Sequence, residues 1–181
     1  MCKSDKAIDD ARHAVRVRNL SLVLILAGSV LMSVHASQLH NRADAPLCRV
    51  DHVTDGDTVD VTCDGTERTL RLNCIDAPET DQNPWGERAT RALGEGIGDQ
   101  VRVNAHDQDQ YGRTIATVYT ADGQHDLNLA MVRAGHAAVY DRFCDWGEYQ
   151  QAEQKARNDD RGIWSQSGPH QRPWQYRANQ R

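Results

Sequence analysis

Hydrophobic and polar positions follow a different pattern in residues 1–36 than in the rest of the chain. Residues 20–34 form an apolar run of 15 residues, preceded by five basic residues. The run is shorter than the roughly 20 residues of a membrane-spanning helix. Val34 and Ala36 occupy the −3 and −1 positions of a signal cleavage site. The pattern favours a secretory signal peptide. An uncleaved N-terminal membrane anchor is the alternative, because the segment before the run is long and also carries aspartates.

Alternating apolar and polar positions follow in the next part of the chain. Residues 59–63 (VDVTC) alternate strictly, as in a half-buried strand. Residues 49–54 and 68–75 are the neighbouring strand candidates. Turn-forming residues separate the three candidates, Asp-Gly-Asp at 55–57 and Asp-Gly at 64–65. The pattern therefore predicts a three-stranded meander.

Helical spacing appears after the meander. The sequence predicts a short helix at residues 87–97 and strands at residues 101–105 and 114–119. Apolar residues recur at i, i+3, i+4 and i+7 over residues 127–134, and a last helix lies within residues 146–162. Five short strands and three helices predict an α+β fold, a five-stranded barrel like the oligonucleotide-binding (OB) fold.

The two ends of the exported part lack such patterns. Residues 37–47 are polar and are expected to form a flexible lead-in, and residues 166–181 lack periodicity and are expected to form a mobile tail. One folded domain is predicted between them, at residues 48–165.

Four cysteines remain after the signal segment: Cys48, Cys63, Cys74 and Cys144. An even number of cysteines is typical of disulfide-bonded proteins in an oxidising compartment. Four cysteines allow three disulfide pairings. We favour Cys48–Cys63, because these two flank one hairpin turn symmetrically, which leaves Cys74–Cys144. Four buried free thiols are the alternative.

Charge limits how the chain can bind nucleic acid. It carries 21 Lys and Arg against 26 Asp and Glu, a net charge of −5, and Lys155 is the only lysine after residue 36. A protein that grips nucleic acid through bulk charge is basic. Nucleic-acid binding by this chain therefore requires a metal ion and a few arginines at defined positions.

Acidic residues cluster at two turns. Asp55, Asp57 and Asp60 surround the first hairpin turn, and Asp76 and Glu79 follow the third predicted strand. A hard cation such as calcium prefers carboxylate and carbonyl oxygens, and two turns that each offer a carboxylate suffice for one site. The alternative is that Asp and Gly are present only as good turn formers.

Two arginines lie near these acids in the predicted fold. Arg71 is on the strand that leads to Asp76, and Arg113 enters the fifth strand. A guanidinium group matches phosphate oxygens in pairs. For each arginine alone, a solvated strand face is the alternative.

Three segments occur in order: Asp-Gly-Asp-Thr at 55–58, Arg-Leu-Asn-Cys-Ile-Asp-Ala-Pro-Glu at 71–79, and Tyr-Gly-Arg at 111–113. Together they resemble the staphylococcal nuclease (thermonuclease) family, over about Val50 to Ser165. The resemblance implies the five-stranded barrel with three helices.

The resemblance also implies a Ca²⁺ site and a substrate site. Asp57 and Asp76 match the two calcium carboxylates of the family. Ala77 stands where the family often has Thr, and its backbone carbonyl matches a calcium ligand. Tyr111 matches a tyrosine beside the substrate phosphate. Tyr140 is expected to stack on a base, with a role in the core as the alternative.

The remaining matches concern catalysis. Glu79 matches the residue that contacts the attacking water, as base or organiser, and Arg71 and Arg113 match the phosphate-binding arginines. The implied activity is an exported, calcium-dependent, sugar-nonspecific nuclease that cuts the P–O5′ bond, leaves 3′-phosphates and accepts DNA and RNA. Gln110 replaces a lysine of the best-known member, so substrate affinity is expected to be weak and to fall as salt rises.

The expected partners are DNA and RNA, preferably single-stranded, for a secreted or periplasmic monomer without a stable protein partner. Two other functions fit parts of this pattern. One is an SNase-like nucleic-acid-binding module with little or no turnover. The other is a calcium-stabilised extracellular domain, which explains the aspartates but leaves Arg71, Arg113 and Glu79 together unexplained.

Overall fold

A computed structural model of the protein describes residues 42–144 and 146–180. The strands are β1 (Leu47–Val53), β2 (Thr58–Cys63), β3 (Thr66–Leu72), β4 (Ile75–Asp76), β5 (Gln100–Gln108), β6 (Thr114–Thr120) and β7 (Ala138–Val139). The helices are α1 (Trp85–Ile97), α2 (Leu127–Arg133), α3 (Gly147–Asn158) and α4 (Pro173–Asn179). Short 3-10 helices cover Asp141–Phe143, Gly162–Trp164 and Pro169–Gln171.

Five strands form a closed barrel in the order β1-β2-β3-β6-β5. The predicted alternation in β2 is confirmed, because Val59, Val61 and Cys63 are buried while the residues between them are partly exposed. β1 closes the barrel by pairing with β5 as well as with β2. The predicted α+β barrel fold is therefore confirmed.

The third predicted strand, residues 68–75, is divided in the structure. β3 ends at Leu72, and Cys74 adopts a left-handed conformation with φ of 69°. The chain turns there and leaves the barrel, so that β4 pairs with β7 in a separate two-stranded sheet. Strand periodicity alone did not reveal this break, because apolar residues continue on both sides of it.

Helices α1, α2 and α3 correspond to the three predicted helices. Asp126 caps α2 by accepting a hydrogen bond from the amide of Leu129, and Tyr149 of α3 donates a second hydrogen bond to the same carboxylate. The buried faces of α1, α2 and α3 pack with the barrel residues in one core. The β1–β2 turn and the residues after β4 both lie beside α1. The packing of α1 therefore holds these two segments in fixed positions.

Two disulfides, Cys48–Cys63 and Cys74–Cys144, are present as predicted. The first joins β1 to the end of β2. The second joins the residue before β4 to the residue after the 3-10 helix Asp141–Phe143. Only the second therefore lies next to Asp76.

The predicted ends of the domain have additional structure. The carbonyls of Ala45 and Pro46, in the predicted lead-in, accept hydrogen bonds from Arg102 and Val103 of β5. The predicted tail contains a 3-10 helix and α4, a fourth helix that the sequence did not predict. The flexibility of both segments stays a prediction.

The predicted signal or anchor at residues 1–36 lies outside the described residues, as do residues 37–41 of the lead-in. Within the described ranges, no helix is long and apolar enough to cross a membrane.

Candidate functional site

Asp57 is held at the turn between β1 and β2. Its amide donates to Oδ1 of Asp55 at 2.9 Å, and its carbonyl accepts from the amide of Leu72 at 2.8 Å. A Cβ on Gly56 would lie 2.6 Å from the Cβ atoms of both Ala77 and Ala89. Only glycine therefore lets this turn pack against the segment after β4, which brings Asp57 to that segment.

Asp76 is fully buried at the end of β4. Arg71 lies between it and Asp57: one guanidinium nitrogen, Nη2, is 2.7 Å from Oδ1 of Asp76 and 3.2 Å from Oδ2 of Asp57. The other, Nη1, donates to the carbonyls of Leu72 and Ile75. The structure thus brings together three sequence-predicted residues from two turns and one strand.

Burial and mutual repulsion raise the pKa values of two carboxyl groups at these turns. Burial, and then the charge of Asp57, raise the pKa of Asp76 to about 6, although Arg71 and Arg177 act in the opposite direction. The same two causes, in the same order, raise the pKa of Asp55 to about 6. Carboxylates that repel each other in a buried place favour a further cation.

Glu79 lies in a turn that α1 holds closely. Its amide donates to Oε1 of Gln82, and the amide of Gln82 donates to the Glu79 carbonyl, both at 2.9 Å. A Cβ on Gly86 would lie 2.0 Å from that carbonyl oxygen. The Glu79 side chain is 35% exposed, so it is accessible to water while its backbone is fixed.

The donors at this site suit a hard cation. Asp57 and Asp76 offer carboxylate oxygens that converge on one nitrogen of Arg71, and Ala77 is adjacent, its amide donating to Oδ2 of Asp57 at 2.7 Å. Calcium prefers such oxygen donors. In the structure, positively charged guanidinium groups contact these carboxylates where a metal ion would bind. No group of three or more His, Cys, Asp or Glu in residues 42–144 and 146–180 is arranged to hold a metal.

Arg113 directly precedes β6, which pairs in parallel with β3 so that Ile115 is opposite Arg71. Its Nε donates to Oδ2 of Asp109 at 2.8 Å, and Oδ1 of Asp109 accepts from the amides of Tyr111 and Arg113. The Tyr111 side chain is exposed, at 67% for the residue. In the described part of the chain, no hydrogen bond or ion pair joins Arg113 or Tyr111 to the Asp57–Asp76 pair.

Tyr140 follows β7, and its amide donates to the carbonyl of Cys74 at 2.9 Å. It therefore lies beside the strand that carries Asp76. Its ring stacks on Trp174 of α4, with centroids 5.2 Å apart and planes 15° apart, and meets Phe143 edge-on. Tyr140 is half-buried rather than a core residue.

Arg177 of α4 was missed by the sequence reasoning. Its Nη2 contacts both carboxylate oxygens of Asp76, at 3.0 and 2.9 Å, and its Nη1 binds Oε1 of Glu79. The partners are separated by about a hundred residues along the chain, and the tail has no periodic pattern that predicts a helix. The only available signal was an arginine three residues after a tryptophan, which places both on one helical face.

Comparison with known proteins gives consistent matches. The profile of the family described as Staphylococcal nuclease homologue matches residues 69–166. The chain is 37% identical over 130 residues to an uncharacterized endonuclease of Escherichia coli O157:H7, covering 71% of this chain and 83% of that one. It is 39% identical over 140 residues to protein ParB of Escherichia coli, covering 71% and 77%. It is 35% identical over 138 residues to a micrococcal nuclease of Shigella flexneri, covering 71% and 78%.

Proposed function

The chain belongs to the staphylococcal nuclease family, and from this premise we propose that it is a calcium-dependent nuclease that hydrolyses the P–O5′ bond of DNA and RNA and leaves 3′-phosphates. The observation that carries the proposal is the contact of Arg71 with both Asp57 and Asp76, beside a turn that presents Glu79. A phosphate-binding group and two metal-type carboxylates thus meet in one place.

Asp57, Asp76 and the carbonyl of Ala77 would hold the calcium ion. When bound, Ca²⁺ supplies positive charge that neutralises a phosphate and orients the attacking water. The chain contributes the fixed geometry: Gly56 allows the two turns to touch, and the amide of Ala77 orients the carboxylate of Asp57. A carboxylate held in this way loses little freedom when a cation binds.

The charged side chains provide the chemistry around the phosphate. Glu79 accepts or orients the proton of the attacking water, for which its side chain is sufficiently exposed. Arg71 and Arg113 stabilise the charge that builds on the phosphate oxygens in the transition state. Arg71 already makes four contacts that fix its orientation, whereas Arg113 depends on Asp109.

Two aromatic residues are proposed to contact the substrate. Tyr111 is exposed next to Arg113, whose guanidinium carbon lies 5.8 Å from the ring centre, and it lies beside the phosphate. Tyr140 stacks on a base, as aromatic residues do in single-strand sites. A base that stacks must be unpaired, so we propose a preference for single-stranded DNA and RNA.

We also propose that the protein is exported and acts as a monomer without a stable protein partner. Two disulfides support an oxidising compartment, outside the cytoplasm. The sequence pattern of residues 1–36 supports a signal peptide.

The test is cleavage of single-stranded DNA and RNA by the purified protein, with calcium or with a chelator, followed by identification of the ends. Glu79→Gln and Arg113→Ala are compared with matched variants at exposed positions of α1, Glu87→Gln and Arg91→Ala, which form an ion pair with each other. We expect calcium-dependent cleavage with 3′-phosphate ends, a loss of at least about a hundredfold in the two site variants, and no loss in the controls.

A folded wild-type protein that binds single strands but never cleaves them would support a binding module instead. A protein that gains thermal stability with calcium but neither binds nor cleaves would support the calcium-stabilised structural domain.

A further inference from the structure

The C-terminal helix α4 places a cation on the carboxylates of the proposed site. Arg177 contacts both oxygens of Asp76 and one oxygen of Glu79. Asp76 is the proposed calcium ligand and Glu79 the proposed partner of the attacking water. One side chain therefore occupies two positions that the proposed reaction needs.

The same helix also covers the proposed base-binding residue. Trp174 lies three residues before Arg177, on the same face of α4, and stacks in parallel on Tyr140. A nucleobase would use that ring face in the same way. The neighbouring Tyr176 donates a hydrogen bond to Oδ2 of Asp81 at 3.1 Å, just after the Glu79 turn.

The segment before α4 is anchored independently of the site. His170 is buried, stacks on Trp85 of α1 with centroids 4.5 Å apart, and its Nε2 lies 3.0 Å from the carbonyls of Ile163 and Gln166. Beyond it, Arg172 is exposed, and its side chain forms no hydrogen bond or ion pair with any described residue. The anchor keeps α4 near the site even when the contacts of Arg177 are broken.

Taking the proposed nuclease function as its basis, we propose that α4 is a built-in inhibitor: Arg177 and Trp174 close the site, and calcium together with a single strand displaces them. Calcium and Arg177 compete because both bind the carboxylate oxygens of Asp76. Calcium binds carboxylate oxygens at about 2.3–2.6 Å, and both oxygens of Asp76 already accept hydrogen bonds from Arg177. The doubly charged ion also repels the guanidinium group.

The contacts are suited to displacement. The Arg177 side chain is 38% exposed, so water reaches the guanidinium group, although Asp76 itself is fully buried. Asp76 still has Arg71 as an ion-pair partner when Arg177 leaves. A divalent ion that binds a pair of buried carboxylates gains more interaction free energy than Arg177 does. Nucleic acid would add to the effect, because a base that stacks on Tyr140 removes the second contact of α4.

The experiment uses the full chain and compares wild type, Arg177→Gln, Trp174→Ala and the matched control Arg172→Gln, which removes the same charge from the same segment. Calcium affinity is measured by calorimetry without nucleic acid, and hydrogen exchange of residues 173–179 is measured with and without calcium. Initial rates of cleavage are then measured over a range of calcium concentrations.

We expect Arg177→Gln to bind calcium at least fivefold more tightly than wild type, and Arg172→Gln to equal wild type. Calcium should speed hydrogen exchange in residues 173–179 of the wild type. At limiting calcium Arg177→Gln should cleave faster, at saturating calcium it should equal wild type, and Trp174→Ala should lower the KM for single strands.

Unchanged or weaker calcium binding by Arg177→Gln would overturn the inhibitor. So would slower cleavage by Arg177→Gln at saturating calcium with a raised KM, which would make Arg177 a phosphate ligand instead. If wild type cleaves nothing at saturating calcium, the nuclease proposal fails, and calorimetry and hydrogen exchange still decide whether Arg177 competes with the ion.

Discussion

The backbone amide of Ala77 donates a 2.7 Å hydrogen bond to Oδ2 of Asp57, twenty residues earlier in the chain. The bond joins the turn before β2 to the residue after β4. Asp57 and Asp76 therefore lie on segments that hold each other in place. A change at either segment is expected to affect the whole site.

Asp57→Asn tests the proposed role in calcium binding. The amide keeps an oxygen that accepts from Ala77, but it removes one negative charge from the site. At calcium concentrations near a hundred times Kd, binding stabilises the wild type by about 2.7 kcal/mol, a rise in Tm of roughly 10 °C. We expect a tenfold weaker affinity in Asp57→Asn, which lowers that gain by about 1.4 kcal/mol. Thermal unfolding with and without calcium measures it.

The control for this variant is Asp51→Asn, since Asp51 pairs with exposed Arg49 on the outside of β1. An equal calcium-dependent rise in Tm in all three proteins would contradict a calcium site at Asp57.

Gly86→Ala tests how Glu79 is positioned. The added Cβ would lie 2.0 Å from the Glu79 carbonyl oxygen, so the turn must move. We expect a loss of about 1–3 kcal/mol in the free energy of unfolding, with a large fall in kcat. Gly94→Ala is the matched control on α1, because nothing lies within 4 Å of its Cβ, and it should stabilise the protein by about 0.5–1 kcal/mol. Urea unfolding and initial rates at saturating calcium measure both effects, and normal kcat in Gly86→Ala would contradict the argument.

The sequence predicted those parts of the site that local patterns determine. The alternation in β2 and the turn residues around Asp57 place that carboxylate correctly, and the spacing of the cysteines was sufficient for the Cys48–Cys63 pairing. Arg71 was placed near Asp76 because it lies only five residues earlier, on the predicted strand that leads to Asp76. Each of these inferences depends on neighbours in the chain.

The remaining features depend on contacts between distant segments. The left-handed turn at Cys74 separates β4 from β3, and no glycine at that position indicates the turn in the sequence. The contact of Arg177 with Asp76 joins residues 101 positions apart, and the ring of Trp174 reaches Tyr140 only because α4 folds back. Neither periodicity nor turn chemistry contains that information, since a short helix with few apolar residues is fixed mainly by tertiary packing.

The two disulfides are expected to differ in their effect on activity. A chain-entropy estimate gives about 4 kcal/mol for Cys74–Cys144, which closes a loop of 70 residues, and about 3 kcal/mol for Cys48–Cys63, which closes 15. Cys74 lies two residues before Asp76, so its removal should also lower activity. The double variants Cys74→Ala/Cys144→Ala and Cys48→Ala/Cys63→Ala are compared by urea unfolding and by cleavage well below their Tm. Equal losses of activity in the two would contradict the link between this disulfide and the site.

Asp126 is expected to make stability depend on pH. Burial raises the pKa of this carboxyl group, and the hydrogen bonds from Leu129 and Tyr149 only partly oppose the shift. A raised folded-state pKa means that the folded protein holds the proton more tightly than the unfolded chain. The contribution of Asp126 to the free energy of unfolding is therefore largest below the ordinary value of 3.8 and declines as the pH rises through the folded-state pKa.

Asp126→Asn isolates this effect, because the amide oxygen still caps α2 at Leu129 and the amide nitrogen can donate to the Tyr149 hydroxyl oxygen. We expect the variant to be more stable than wild type at pH 7 and no more stable at pH 3, as measured by urea unfolding at both values. Asp122→Asn, at an exposed turn, is the control. It should behave oppositely, because hydrogen bonds from Thr120 and Gln124 lower the pKa of Asp122, so its carboxylate stabilises the fold at neutral pH. If Asp126→Asn loses stability at pH 7, the cap depends on the negative charge, and burial is not the dominant effect on Asp126.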